Sequence, residues 1–94
     1  FIQKLYNMVN DPEISAICWN EDGTGVKILD TSYLCSNIFP IYFKHDCWAS
    51  FTRQLNLYGF VRYSHGTPGE QHLMYKHSNF LRERPDKLKS IQRR

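Results

Sequence analysis

The stretch "ASFTRQLNLYGF", residues 49–60, reads as a helix with a cation in its middle. At about 100° per residue, Trp48, Phe51, Thr52 and Leu55 share one stripe that can meet a core. Arg53 then lies about 150° from the centre of that stripe. Ser50 and the apolar Leu57 lie beside it, and Gln54 and Asn56 flank it. This outer face lacks the glutamate–lysine mixture of an ordinary solubilising surface. Small and amide side chains around one arginine suit the base edges of a major groove, because arginine can donate two hydrogen bonds to guanine N7 and O6. The competing account is a solvated charge on an exposed face. Which account holds depends on how the rest of the chain presents this helix.

The flanks mark the helix ends. Asp46, in "FKHD", is the expected N-cap of a helix at roughly 47–58. Gly59 stands where a helix C-terminus needs a positive φ. Lys44 and His45 precede the start, where side-chain donors and free N–H groups can meet phosphate. The competing reading is a polar turn, and for His45 taken alone the turn is the better account. Tyr58 reads as a core ring whose hydroxyl can still reach a nucleic-acid backbone.

Further out, "FIQKLYNMVN" places apolar residues in one broad arc, so residues 1–10 form an amphipathic helix that ends before Pro12. "AICWN" and "VKIL", separated by "EDGTG", predict a hairpin with Ile17 and Trp19 on one face and Val26 and Ile28 on one face. "DTSYLCSNIFPIYF" predicts a second helix, capped by Asp30, Thr31 or Ser32 and kinked or broken at Pro40. "FVRYS" and "HLMYK" predict two more strands around the turn-rich loop at 65–71. The tail "RERPDKLKSIQRR" holds six Lys/Arg in thirteen residues, with Leu88 and Ile91 at i, i+3 spacing, and predicts a short basic helix. The order is helix, hairpin, helix, helix, hairpin, basic tail. That is an α+β layout of three helices with a small four-stranded antiparallel sheet, as in a winged helix-turn-helix.

Ninety-four residues suit one domain with a modest core, here 1–94 with 82–94 as a basic segment leading to a linker. Six Phe, six Tyr and two Trp supply large rings. The chain begins at Phe, which fits a piece of a longer protein. No stretch reaches the run of about 20 apolar residues that spans a bilayer. The net charge of +3 hides an asymmetry. Residues 1–43 carry two lysines against five acids, and residues 44–94 carry ten Lys/Arg against four acids. A basic second half suits a polyanion such as nucleic acid, or equally a membrane surface. Cys18, Cys35 and Cys47 are three in number with no CxxC, which fits reduced thiols in cytosol or nucleus.

With these residues in view, "FPIYFKHDCWASFTRQLNLYGF" closely resembles the signature of heat shock factor DNA-binding domains, in which an FKH triplet precedes RQLN and YGF. "FIQKLYNMV", "ICWNEDGTGVKI" and "KHSNFLRERPDKLKSIQRR" agree with it, so the resemblance covers essentially the whole chain. It implies a transcription factor domain of winged helix-turn-helix fold, with a bulge or kink in the second helix that matches Pro40. It implies binding of double-stranded DNA at heat shock elements, arrays of inverted GAA-type modules. By the same resemblance Arg53 reads guanine, and Ser50 and Asn56 assist at bases or backbone. Lys44, His45, Gln54, Tyr58, Arg93 and Arg94 are then the residues expected at the DNA backbone. The wing loop would meet neighbouring domains rather than DNA. The isolated domain would be a monomer, the parent a homotrimer through a coiled coil outside this chain, and its place the nucleus, or the cytoplasm before activation.

Some positions depart from that pattern. Asp46-Cys47 stands where two asparagines are usual, Thr52 replaces a common valine, Tyr6 an expected tryptophan, and the wing loop is short. Asp46 near phosphate is repulsive, which favours a cap over a contact. Two readings compete with DNA binding. Cys47, His45, His65, His72 and His77 share the second half, but no pair has the tight thiolate spacing of a structural zinc site, so neither a metal nor a cofactor is expected. Some winged helices bind protein partners, but the basic recognition face argues against that here. The acids are too scattered for a catalytic pair, so no enzyme is expected.

Overall fold

The computed structural model describes residues 1–63 and 73–93. Ser64, the loop at 65–71, His72 and Arg94 lie outside the described residues. So the reading of the wing loop, and the part of His65, His72 and Arg94 in any site, fall there too.

Helix α1 spans Ile2–Asn10 and turns its apolar arc inward, burying Leu5 and Met8 completely. Asp11 leaves it in an extended conformation, as the residue before Pro12 must. Strands β1 (Ile17–Trp19) and β2 (Gly25–Ile28) pair antiparallel, with Ile17 opposite Ile28 and Trp19 opposite Val26. Ile17, Val26 and Ile28 face the core. Gly23, at φ +72°, makes the turn between them in a region that side chains rarely adopt.

The second helix, α2, is built in three pieces: α-helical Thr31–Tyr33, a π-helical turn at Leu34–Ile38, and α-helical Phe39–Tyr42. Asp30 caps it by accepting the Tyr33 N–H at 3.0 Å. The disturbance expected at Pro40 is therefore spread over the preceding turn. An ordinary helix would press the proline ring on the carbonyl four residues back. The wide turn, in which the Phe39 N–H reaches the Leu34 carbonyl, relieves that clash. It also puts Leu34 and Phe39 on one face, and both are fully buried.

Helix α3 spans Trp48–Leu57. Strands β3 (Val61–Tyr63) and β4 (Leu73–Lys76) pair antiparallel, and β4 also pairs with β2. The sheet order is β1-β2-β4-β3, so the last strand inserts beside β2. Among the described residues three helices and four antiparallel strands share one core, the α+β winged helix-turn-helix expected. The tail forms a 3₁₀ turn at Pro85–Ser90 instead of an α-helix. A three-residue period sets Leu88 and Ile91 on one side, and both are buried. Its entry is held by the Arg82 N–H on the Gly23 carbonyl at 2.9 Å and by the Tyr6 hydroxyl on the Arg82 carbonyl at 2.7 Å. Among the described residues no helix is long and apolar enough to cross a membrane.

Candidate nucleic-acid interface

Rings fix the rotation of α3. Phe51 is fully buried and stacks on Phe39 with centroids 4.5 Å apart, and Leu55 is buried one turn on. Trp48 lies half-buried, parallel to Phe39 at 6.1 Å. The helix ends on Gly59 at φ +85°, with Gly59 N–H on the Asn56 carbonyl and Phe60 N–H on the Leu55 carbonyl. That pair of bonds closes a Schellman cap, as the glycine predicts. With the inner edge pinned, Ala49, Arg53 and Asn56 are exposed on the other side. Ser50, Gln54 and Leu57 are half-buried, so Leu57 is less bare than the helical wheel implies. No ion pair of Arg53 is found among the described residues.

The turn that leads into α3 carries three features that the sequence reading left unmarked. Lys44 stands just past the end of α2 in a left-handed conformation, φ +61°, normally taken by glycine or asparagine. No glycine flags the position, so sequence reading has no signal for it. His45 stacks on the Phe43 ring at 5.8 Å, and its Nδ1 accepts the Cys47 N–H at 3.3 Å. A neutral ring with that acceptor carries its proton on Nε2 and keeps one donor for a ligand. Lys44 is exposed and His45 half-buried.

Asp46 does not cap the helix as expected. Cys47 occupies the N-cap, and no side chain makes a close capping hydrogen bond. The Cys47 sulfur instead faces the Ser50 N–H and hydroxyl, then the Ala49 N–H, and these hold its thiol below the usual range. The field of Asp46 opposes that shift. Ser50, a sequence candidate for base contact, thus lies beside Cys47 at the start of the helix. Cys35 is half-buried, and burial followed by the charge of Cys47 pushes its thiol up. Cys18, Cys35 and Cys47 are all free thiols, and Cys47 is the exposed one.

The remaining described candidates lie at the far end of α3 and in the tail. The Tyr58 ring stacks on Phe1 at 5.5 Å and lines a groove with Pro85, Leu88 and Lys89, so it joins the α1 and tail side. Arg93 is exposed beyond Ile91. Elsewhere in the tail, Arg82 pairs with Glu83 at 3.1 Å and Arg84 with Asp86 at 2.9 Å. Among the described residues no three His, Cys, Asp or Glu gather as a metal site would need.

These features agree with what the chain resembles. It is 37% identical over its full length to heat shock factor protein 1 of Bos taurus, covering 19% of that protein. It is 39% identical to transcription factor prr1 of Schizosaccharomyces pombe, again over 19% of the relative. The chain thus spans about a fifth of the curated relatives it matches. Among solved structures, Chaetomium thermophilum Skn7 with SSRE DNA superimposes at a TM-score of 0.92 and 37% identity, covering 100% of this chain and 98% of that one. A heat shock transcription factor/DNA complex superimposes at 0.68 and 30% identity, covering 80% and 89%. The family model for HSF-type DNA-binding matches residues 1–94, and the chain belongs to that family.

Proposed function

We propose that residues 1–94 act as one sequence-specific module for double-stranded DNA in a transcription factor of heat shock factor type. Helix α3 enters the major groove and reads GAA-type modules of heat shock elements. Arg53 donates a bidentate pair to guanine, with Ser50 and Asn56 beside it. Lys44, His45, Gln54, Tyr58, Arg93 and Arg94 meet the DNA backbone, and residues 82–94 lead toward a linker. The observation that carries this reading is Arg53, exposed and without an ion pair among the described residues, on a helix edge held outward by the stacking of Phe51 on Phe39. The module binds rather than catalyses, without a metal or cofactor. The isolated chain is a monomer, the parent trimerises through a segment outside it, and the parent works in the nucleus.

Fluorescence anisotropy on a GAA-array duplex and a scrambled duplex tests this. Arg53→Ala is expected to cost about 1–3 kcal/mol of preference at one base pair. Thermal melts must show that the variant folds. Full retention of GAA preference by Arg53→Ala would overturn the recognition-helix reading.

A further inference from the structure

The turn between α2 and α3 holds Lys44 and His45 and then, directly before the N-cap, Asp46. Asp46 is exposed, and no hydrogen bond or ion pair of its carboxylate is found among the described residues. The role expected for it is taken by Cys47, which leaves a full negative charge at the leading end of the recognition helix. The helix start there has N–H groups without a carboxylate partner, which with Lys44 would otherwise draw a phosphate. An unpaired carboxylate beside those groups opposes any phosphate that approaches them. Its field already reaches both nearby sulfurs, Cys47 and Cys35.

We infer that Asp46 is an electrostatic brake on this DNA-binding face: it repels the duplex backbone at the entrance to α3 and lowers affinity without altering which bases are read. The inference rests on the DNA-binding reading above. Base choice stays with Arg53, while Asp46 sets how strongly one module holds any duplex. A single module weakened in this way depends more on neighbouring modules to stay bound. The field of one charge on phosphate is the same for every sequence, so the effect is uniform across targets.

The test measures the 94-residue chain with Asp46→Asn, Asp46→Ala and Asp46→Glu, by anisotropy on GAA-array and scrambled duplexes across a salt series. Asp46→Asn and Asp46→Ala are expected to bind both duplexes about threefold to tenfold more tightly near physiological salt, with a steeper dependence on salt by up to about one unit. Asp46→Glu, which keeps the charge, should stay within about twofold of the parent chain. Unchanged affinity in both neutral variants overturns the inference, because the carboxylate then faces only water. A change confined to the GAA duplex also overturns it, because Asp46 then reads a base. Arg53→Ala run alongside separates the two claims. If it loses GAA preference while the Asp46 variants do nothing, the brake alone falls. If it keeps that preference, the recognition-helix reading falls.

Discussion

Two sets of cations in this chain meet opposite fates. Arg82 and Arg84, in the tail, are engaged by Glu83 and Asp86 from the same segment, and Arg84 holds Asp86 through two bonds at 3.0 and 2.9 Å. Lys44 and Arg53, around α3, have no ion pair among the described residues, although α3 is packed on its other edge, where its Trp48 and Phe51 stack on Phe39. A count of basic residues ranks the tail first. Partnership separates Arg82 and Arg84 from Lys44 and Arg53, since a cation already paired must give up its carboxylate before it can meet a phosphate. The difference teaches that a cation's partner, as well as the local density of charge, decides how readily it can meet a phosphate.

The comparison breaks most directly if the two arginines are exchanged in importance. Arg53→Ala should weaken preference for the GAA duplex by the amount set out above, whereas Arg84→Ala should leave that preference untouched. Anisotropy on the two duplexes measures both, and a larger loss of preference in Arg84→Ala would invert the account.

Lys44 allows charge to be separated from backbone. Lys44→Ala should weaken all duplexes alike and flatten the salt slope by about one unit. Lys44→Gly should do the same to binding yet raise stability by up to about 1 kcal/mol, because glycine holds φ +61° without the clash of a Cβ. Denaturant melts beside the binding isotherms separate the two effects.

A smaller effect is expected at the thiols. Cys47 is exposed and its thiol lies below the usual range, so its thiolate forms at a lower pH than in an ordinary cysteine. Cys35 is pushed the other way by burial. Alkylation followed by peptide mass mapping should modify Cys47 first, with its rate rising at lower pH than that of Cys35. Labelling of Cys18 ahead of Cys47 would contradict the described N-cap.

The smallest effect belongs to the paired tail. The Arg84 hydrogen bond lowers the pKa of Asp86. A lowered carboxylate stabilises the fold above its unfolded pKa and loses that contribution as pH falls through the folded value. Both groups are exposed, so screening keeps the gain slight. Asp86→Asn should melt marginally below the parent chain at neutral pH, and the gap should close in acid. A gap that widens in acid would contradict the pairing.

Much of this molecule was legible before any coordinates, for local reasons. Helix α1, the β1–β2 hairpin, the inward edge of α3 and the left-handed Gly59 each follow from periodicity or from one residue's allowed φ. So does the exposure of Arg53, which needs only the rotation imposed by Phe51 and Leu55. The family, too, was legible in the string that joins "FKH" to "RQLN" and "YGF".

What the tertiary structure alone decided depends on groups far apart in the chain. The π-helical turn at Leu34–Ile38 lets Phe39 reach Phe51 while Pro40 stays in the helix. The insertion of β4 beside β2 is a pairing between strands that no local pattern ranks. The docking of the tail follows from contacts to Gly23 and Tyr6, far from it in sequence. The same is true of Asp46: a good capping residue by type, it does not stand at the N-cap, because the turn held by left-handed Lys44 and by the bond from Cys47 N–H to His45 puts Cys47 at that position.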